Sequence, residues 1–99
     1  MIKAGEERHV TGIKDPAALE ARLLASSKGR LESGKFLVEG EEAIRWLLDS
    51  KAQLMHVFVH DKEMNHPFIR FLKELKTPLL FASDGILKKI TETAYLIPF

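Results

Sequence analysis

Residues 26–42 read SSKGRLESGKFLVEGEE. Three cations (Lys28, Arg30, Lys35), the glycines Gly29 and Gly34, and a short apolar run, Phe36-Leu37-Val38, are compressed into this span. A further glycine, Gly40, stands where that run gives way to Glu41-Glu42. A continuous apolar run bounded by glycines predicts a strand covered on both faces. Acids after Gly40 predict a helix start, because carboxylates favour the positive end of a helix dipole. The stretch therefore predicts a strand feeding a helix, preceded by a glycine-flanked cationic loop.

Working outward, the same alternation recurs. Upstream, Asp15-Pro16 predicts the start of a helix running to about Ser26, with aspartate as cap, proline in the first turn, and Leu19 and Leu23 on the apolar side. Residues 1–14 show no clean period and predict a tail, with order near Thr11–Lys14. Downstream, Glu41–Lys51 predicts a helix with Ala43, Ile44, Leu47 and Leu48 inward and Trp46 off the stripe. Leu54–Val59 predicts the strongest strand. Pro67 opens a helix with Phe68, Phe71, Leu72 and Leu75 on one face, and Thr77-Pro78 stops it. Pro78–Ala82 predicts another strand. Ser83-Asp84 caps a last helix with Ile86, Leu87 and Ile90 inward and Lys88-Lys89 outward. Tyr95-Leu96-Ile97 offers a fourth strand, although Pro98 fits poorly inside a sheet. Strands alternating with helices predict a three-layer α/β/α domain.

Composition bounds the function. The 99 residues suffice for one domain, 45 % are hydrophobic, and the net charge is +1. The whole-chain field therefore selects no polyanion, but residues 26–36 carry three cations against Glu32. Cysteine is absent, which excludes disulfides and thiolate metal sites and fits a reducing cytoplasm. No run approaches the ~20 apolar residues of a membrane helix. Gly29–Lys35 has the spacing of a phosphate-binding GxxxxGK loop, but Phe36 replaces the hydroxyl residue, and the loop follows a helix and enters a strand, the reverse of the nucleotide-binding order. His56 and His60, four apart on a strand, are separated by about 13 Å, too far for one metal. No Ser/His/Asp set is recognisable from spacing.

The segment KGRLESGKFLVEGEEAIR resembles the N-terminal substrate-binding domain of SpoU-type (TrmH-like) RNA 2'-O-ribose methyltransferases. The pattern is carried by Asp15-Pro16, Leu23-Leu24, Lys28-x-Arg30, Gly34-x-Phe36-Leu37-Val38-Glu39-Gly40 and Glu41-Glu42-Ala43, with compatible strands after it, over about residues 11 to 94. Asp15 stands where the family usually has asparagine. The resemblance implies a four-stranded, mixed, mostly parallel sheet, similar to kink-turn-binding ribosomal proteins, over residues 15–99. It implies a domain that holds rRNA or tRNA through Lys28, Arg30 and Lys35, with Glu39 orienting Arg30. It places S-adenosylmethionine, the methyl transfer, a knotted fold and a homodimer contact on a C-terminal domain absent from these residues. This chain is accordingly expected to have no catalytic site and no cofactor of its own. Two alternatives stand beside this: a stand-alone structured-RNA binder of the kink-turn type, and a protein-docking or dimerisation module using Trp46 and Tyr95–Phe99.

Overall fold

A computed structural model describes residues 3–24, 26–35, 38, 40–51 and 54–91. The elements run β1 (Glu7–Val10), α1 (Pro16–Leu23), α2 (Ser27–Ser33), α3 (Glu41–Asp49), β2 (Val57–His60), a single 3-10 turn (Asp61–Glu63), α4 (Pro67–Glu74), β3 (Leu79–Ala82) and α5 (Asp84–Thr91). Among the described residues the sheet has three parallel strands in the order β1-β3-β2. Phe36, Leu37 and Glu39 and the segment Tyr95–Phe99 lie outside the described residues, so neither the strand read at Phe36–Val38 nor the fourth strand is seen. Val38 is described, half-buried against the core.

Alternation along β3 divides the core. Leu79 and Phe81 face one side with Val57, Val59, Ile44, Phe68, Ile69 and Leu72. Leu80 and Ala82 face the other, with Val10, Ala17, Ala18, Ala21, Leu87 and Ile90. Helices α3 and α4 thus cover one face and α1 and α5 the other. All four residues of β3 are buried, as the centre of a parallel sheet requires.

Two expectations are corrected. The stretch read as a tail contains β1, whose Glu7 pairs with Leu79 and Val10 with Ala82. Its charged sequence, ERHV, hid it: only Val10 is fully buried. Helix α1 also turns the opposite way to the expected stripe. Its buried residues are Ala17, Ala18 and Ala21, while Leu19 and Leu23 stand in solvent. Small side chains let the helix lie close to the sheet and to α5, and the leucines are left outside.

Asp15 joins β1 to α1. Its Oδ1 accepts from the Ala17 amide at 2.9 Å, capping the helix, and Arg8 donates two bonds to the carboxylate, at 2.6 and 3.1 Å. The Arg8 hydrogen bonds hold the Asp15 carboxyl below its usual range, against the opposing effect of burial. A carboxylate with a lowered folded pKa adds stability above its unfolded pKa, about 3.9, and loses it as pH falls through the folded value. Asp15→Asn, which keeps a capping oxygen but not the charge, should be less stable than wild type at neutral pH. Urea titrations at pH 7 and near pH 3 should show that difference shrinking on acidification; a constant difference would mean the charge pair contributes nothing.

His60 also joins elements. It is buried, its Nδ1 accepts from the Lys62 amide at 3.0 Å, and its Nε2 faces Asp84 at the start of α5. A neutral imidazole protonated at Nε2 satisfies both contacts. It serves as a structural clasp at the C-terminal ends of the strands.

Candidate nucleic-acid interface

The cationic segment is a helix, which corrects the loop expected there. Ser26 creates it: its Oγ accepts from the Gly29 amide and donates to the Leu23 carbonyl, both at 3.1 Å. Gly34, left-handed at φ 70°, ends it, its amide bonding the Arg30 carbonyl at 2.9 Å. Gly29, placed in that loop by the sequence, sits inside the helix. A Cβ there would lie 1.9 Å from the Leu23 carbonyl oxygen. Glycine is therefore required by the approach of α2 to the end of α1, not by a turn.

Helix α2 buries no residue. It is held by groups that satisfy the exposed carbonyls ending α1, which have no partner within their own helix. Ser26 takes the Leu23 carbonyl and Arg30 Nη1 donates to the Leu24 carbonyl at 3.0 Å. The carbonyl at the negative end of a helix is a favourable site for a guanidinium. One nitrogen of Arg30 is thus anchored while the side chain remains exposed. A planar fork fixed at one corner is a preorganised phosphate or carboxylate receptor.

The other predicted residues distribute around this anchor. Lys28 is two positions before Arg30, so the helix points the two side chains in different directions. Its ammonium is highly exposed and 3.9 Å from Glu32, one turn on; such an exposed pair contributes a few tenths of a kcal/mol at most. Lys35, just past the helix, is 3.4 Å from Glu20 of α1. Glu39 lies outside the described residues, and the orienting contact seen for Arg30 comes from the Leu24 carbonyl.

Sequence reading missed several residues here. Glu20 holds Lys35, and Arg22 adds an exposed cation in the last turn of α1. The proximity of Glu20 to α2 and Lys35 arises only from folding. His56 lies near the same groups. Burial pushes its imidazole pKa down; the neighbouring Glu20 opposes this, while Lys35 and Arg8 reinforce it. A neutral His56 adds no charge near neutral pH, and its ring meets Phe58 edge-on at 5.3 Å. On the far side of the sheet, Trp46 is 67 % exposed, as its place off the α3 stripe predicts. Nearby Arg45 is bonded to Glu41 and lies 4.6 Å above the Phe68 ring.

Among the described residues, no group of three His, Asp or Glu is placed to hold a metal ion, and no helix is long and apolar enough to cross a membrane. A comparison with curated proteins gives no significant match. Residues 15–95 match the family described as MRM3-like substrate binding domain. The match begins at the cap of α1 and spans α1 to α5, including the Lys28-x-Arg30 and Gly34–Gly40 segments that carry the sequence resemblance. On that match the chain belongs to the MRM3-like substrate binding domain family.

Proposed function

We propose that this chain is the RNA-holding domain of a ribose methyltransferase and that its RNA surface is the α1–α2 layer. The family match supports the substrate-binding role. The observation that carries the location is that α2 buries nothing yet is fastened to α1 with its cations outward. A helix with no core to contribute to has its surface free for a partner. Lys28, Lys35 and Arg22 supply point charges to phosphates, and Arg30 supplies a fixed fork. In this reading S-adenosylmethionine, the methyl transfer and the homodimer contact belong to a second, knotted domain, and no residue of this chain is assigned to them. The same reading gives the domain a four-stranded mixed sheet of the kink-turn-binding kind. The cytoplasm is the proposed compartment, and rRNA and tRNA are both substrates to test.

The test is binding of the chain to total tRNA and rRNA fragments at two salt concentrations. With four phosphate contacts, affinity should fall roughly 50- to 150-fold between 50 and 200 mM salt. In the Lys28→Ala, Arg30→Ala double variant the dependence should drop to about tenfold. Circular dichroism should show the fold retained. An unchanged salt slope would move the surface elsewhere, with the exposed pair Lys88 and Lys89 on α5 next in line. Absence of any RNA binding, with self-association, would favour docking through the exposed Trp46.

A further inference from the structure

Cations alone do not account for the α1–α2 surface. Three leucines stand in solvent on these helices: Leu19 at 45 %, Leu23 at 66 % and Leu31 at 84 % exposure. Leu19 and Leu23 are one turn apart on α1, and Leu31 lies between Arg30 and Glu32 on α2. Leu23 forms one wall of an open cleft of about 420 Å³ between the helices, within the size range of small-ligand sites. Gly29 leaves part of the lining free of side chain, and Lys28, Glu32 and Glu20 bring charge to the same cleft. Both carboxylates have loose lysine partners, at 3.9 Å for Glu32 and 3.4 Å for Glu20. A matching ligand has an apolar face for Leu23, hydrogen-bond donors for a carboxylate, and an anionic group for Lys28.

Duplex RNA does not offer that combination. Its bases are stacked inside, and it presents chiefly phosphates and 2'-hydroxyls, which would leave the leucines uncovered. An unpaired nucleotide does offer it. Resting on the RNA-binding reading above, we propose that the α1–α2 cleft receives one unpaired base that carries an amino group. The base lies against Leu23, its amino group donates to Glu32, and its phosphate faces Lys28. Carboxylates accept from the amino group of cytosine, and adenine and guanine present amino groups as well. Uracil has no amino group, and its single N3–H lies between two carbonyl oxygens that repel a carboxylate, so the cleft discriminates against it.

The experiment compares the full chain binding short cytidine and uridine oligoribonucleotides and an RNA duplex of matched length. Cytidine should bind about tenfold better than uridine, the discrimination expected of one good base-edge contact. In Glu32→Ala the ratio should fall to near one, whatever happens to overall affinity through the freed Lys28. Leu23→Ser, a change at an exposed position, should weaken the cytidine oligonucleotide about tenfold, as loss of a base contact does, and leave duplex binding unchanged. Equal affinity for cytidine and uridine, or a Leu23→Ser variant that binds the single strand normally, would overturn the cleft assignment. Salt-sensitive tRNA or rRNA binding that persists in that case leaves the RNA-holding function standing, whereas absence of binding to every RNA removes both.

Discussion

Gly29→Ala should release α2 from the domain and abolish most RNA binding without unfolding the rest. The added methyl group would sit 1.9 Å from the Leu23 carbonyl oxygen and 2.7 Å from its carbon, and backbone atoms cannot rotate aside as a side chain can. Overpacking of this kind costs about 1–3 kcal/mol. Against it stand the contacts of Ser26 and Arg30 with the end of α1, each about 1 kcal/mol. Because α2 buries no side chain, lifting it away exposes little apolar surface, so detachment is the easier response. Hydrogen exchange at residues 27–33 should accelerate, while the protection of β2 and β3 persists. RNA affinity should fall at least as far as in the double cation variant. Helix propensity alone predicts the opposite sign, since alanine is better than glycine inside a helix by about 0.5–1 kcal/mol. A stabilised variant with normal exchange would therefore show that the helices do not approach so closely.

Phe81→Ala should destabilise the domain by about 3–5 kcal/mol, the range for removing a buried aromatic. Phe81 is 2 % exposed, on the central strand, in the cluster that α3 and α4 close over, with the His9 ring 5.6 Å away. No neighbour can collapse into the gap without moving a strand paired on both sides. Domains of this kind hold about 5–15 kcal/mol in total, so at least about a fifth of the stability would be lost. Denaturant titration should show the midpoint falling sharply. Leu31→Ala is the internal control: a leucine at 84 % exposure should change stability by less than about 0.5 kcal/mol. Similar losses in the two variants would contradict the division between core and surface.

The elements that announce themselves locally were legible in the sequence. Asp15-Pro16 does start α1, His66-Pro67 starts α4, and the apolar residues Val57–Val59 and Leu79–Ala82 form strands. Leu87 and Ile90 face inward while Lys88 and Lys89 stay wet. What was hidden depends on partners distant in the chain. β1 is charged because most of it remains partly exposed, and only the Arg8–Asp15 pairing and the register with β3 reveal it. The leucines of α1 looked like core because leucine usually is, yet alanine suits the close approach to the sheet. Leu75, assigned to the inner face of α4, is likewise half-exposed, and Ile69 is buried instead. At the site, the spacing of Lys28 and Arg30 was visible. Their separation by a helix, the anchor on Leu24 and the Glu20–Lys35 pair were not, because a glycine in the middle reads as a break.

The order β1-β3-β2 has a consequence for how the chain comes off the ribosome. The strand that joins the sheet is the last of the three in the described residues, and each of the others pairs with it alone. Glu7 therefore waits for Leu79, and Val57 waits as well. Among the described strands, no ladder can close during synthesis until residues 79–82 have emerged. Contacts this far apart in sequence fold slowly, because loop closure precedes any reward from pairing. Until residues 79–82 emerge, the apolar faces of α3 and α4 lack Leu79 and Phe81, and apolar surface left exposed during folding is prone to aggregation.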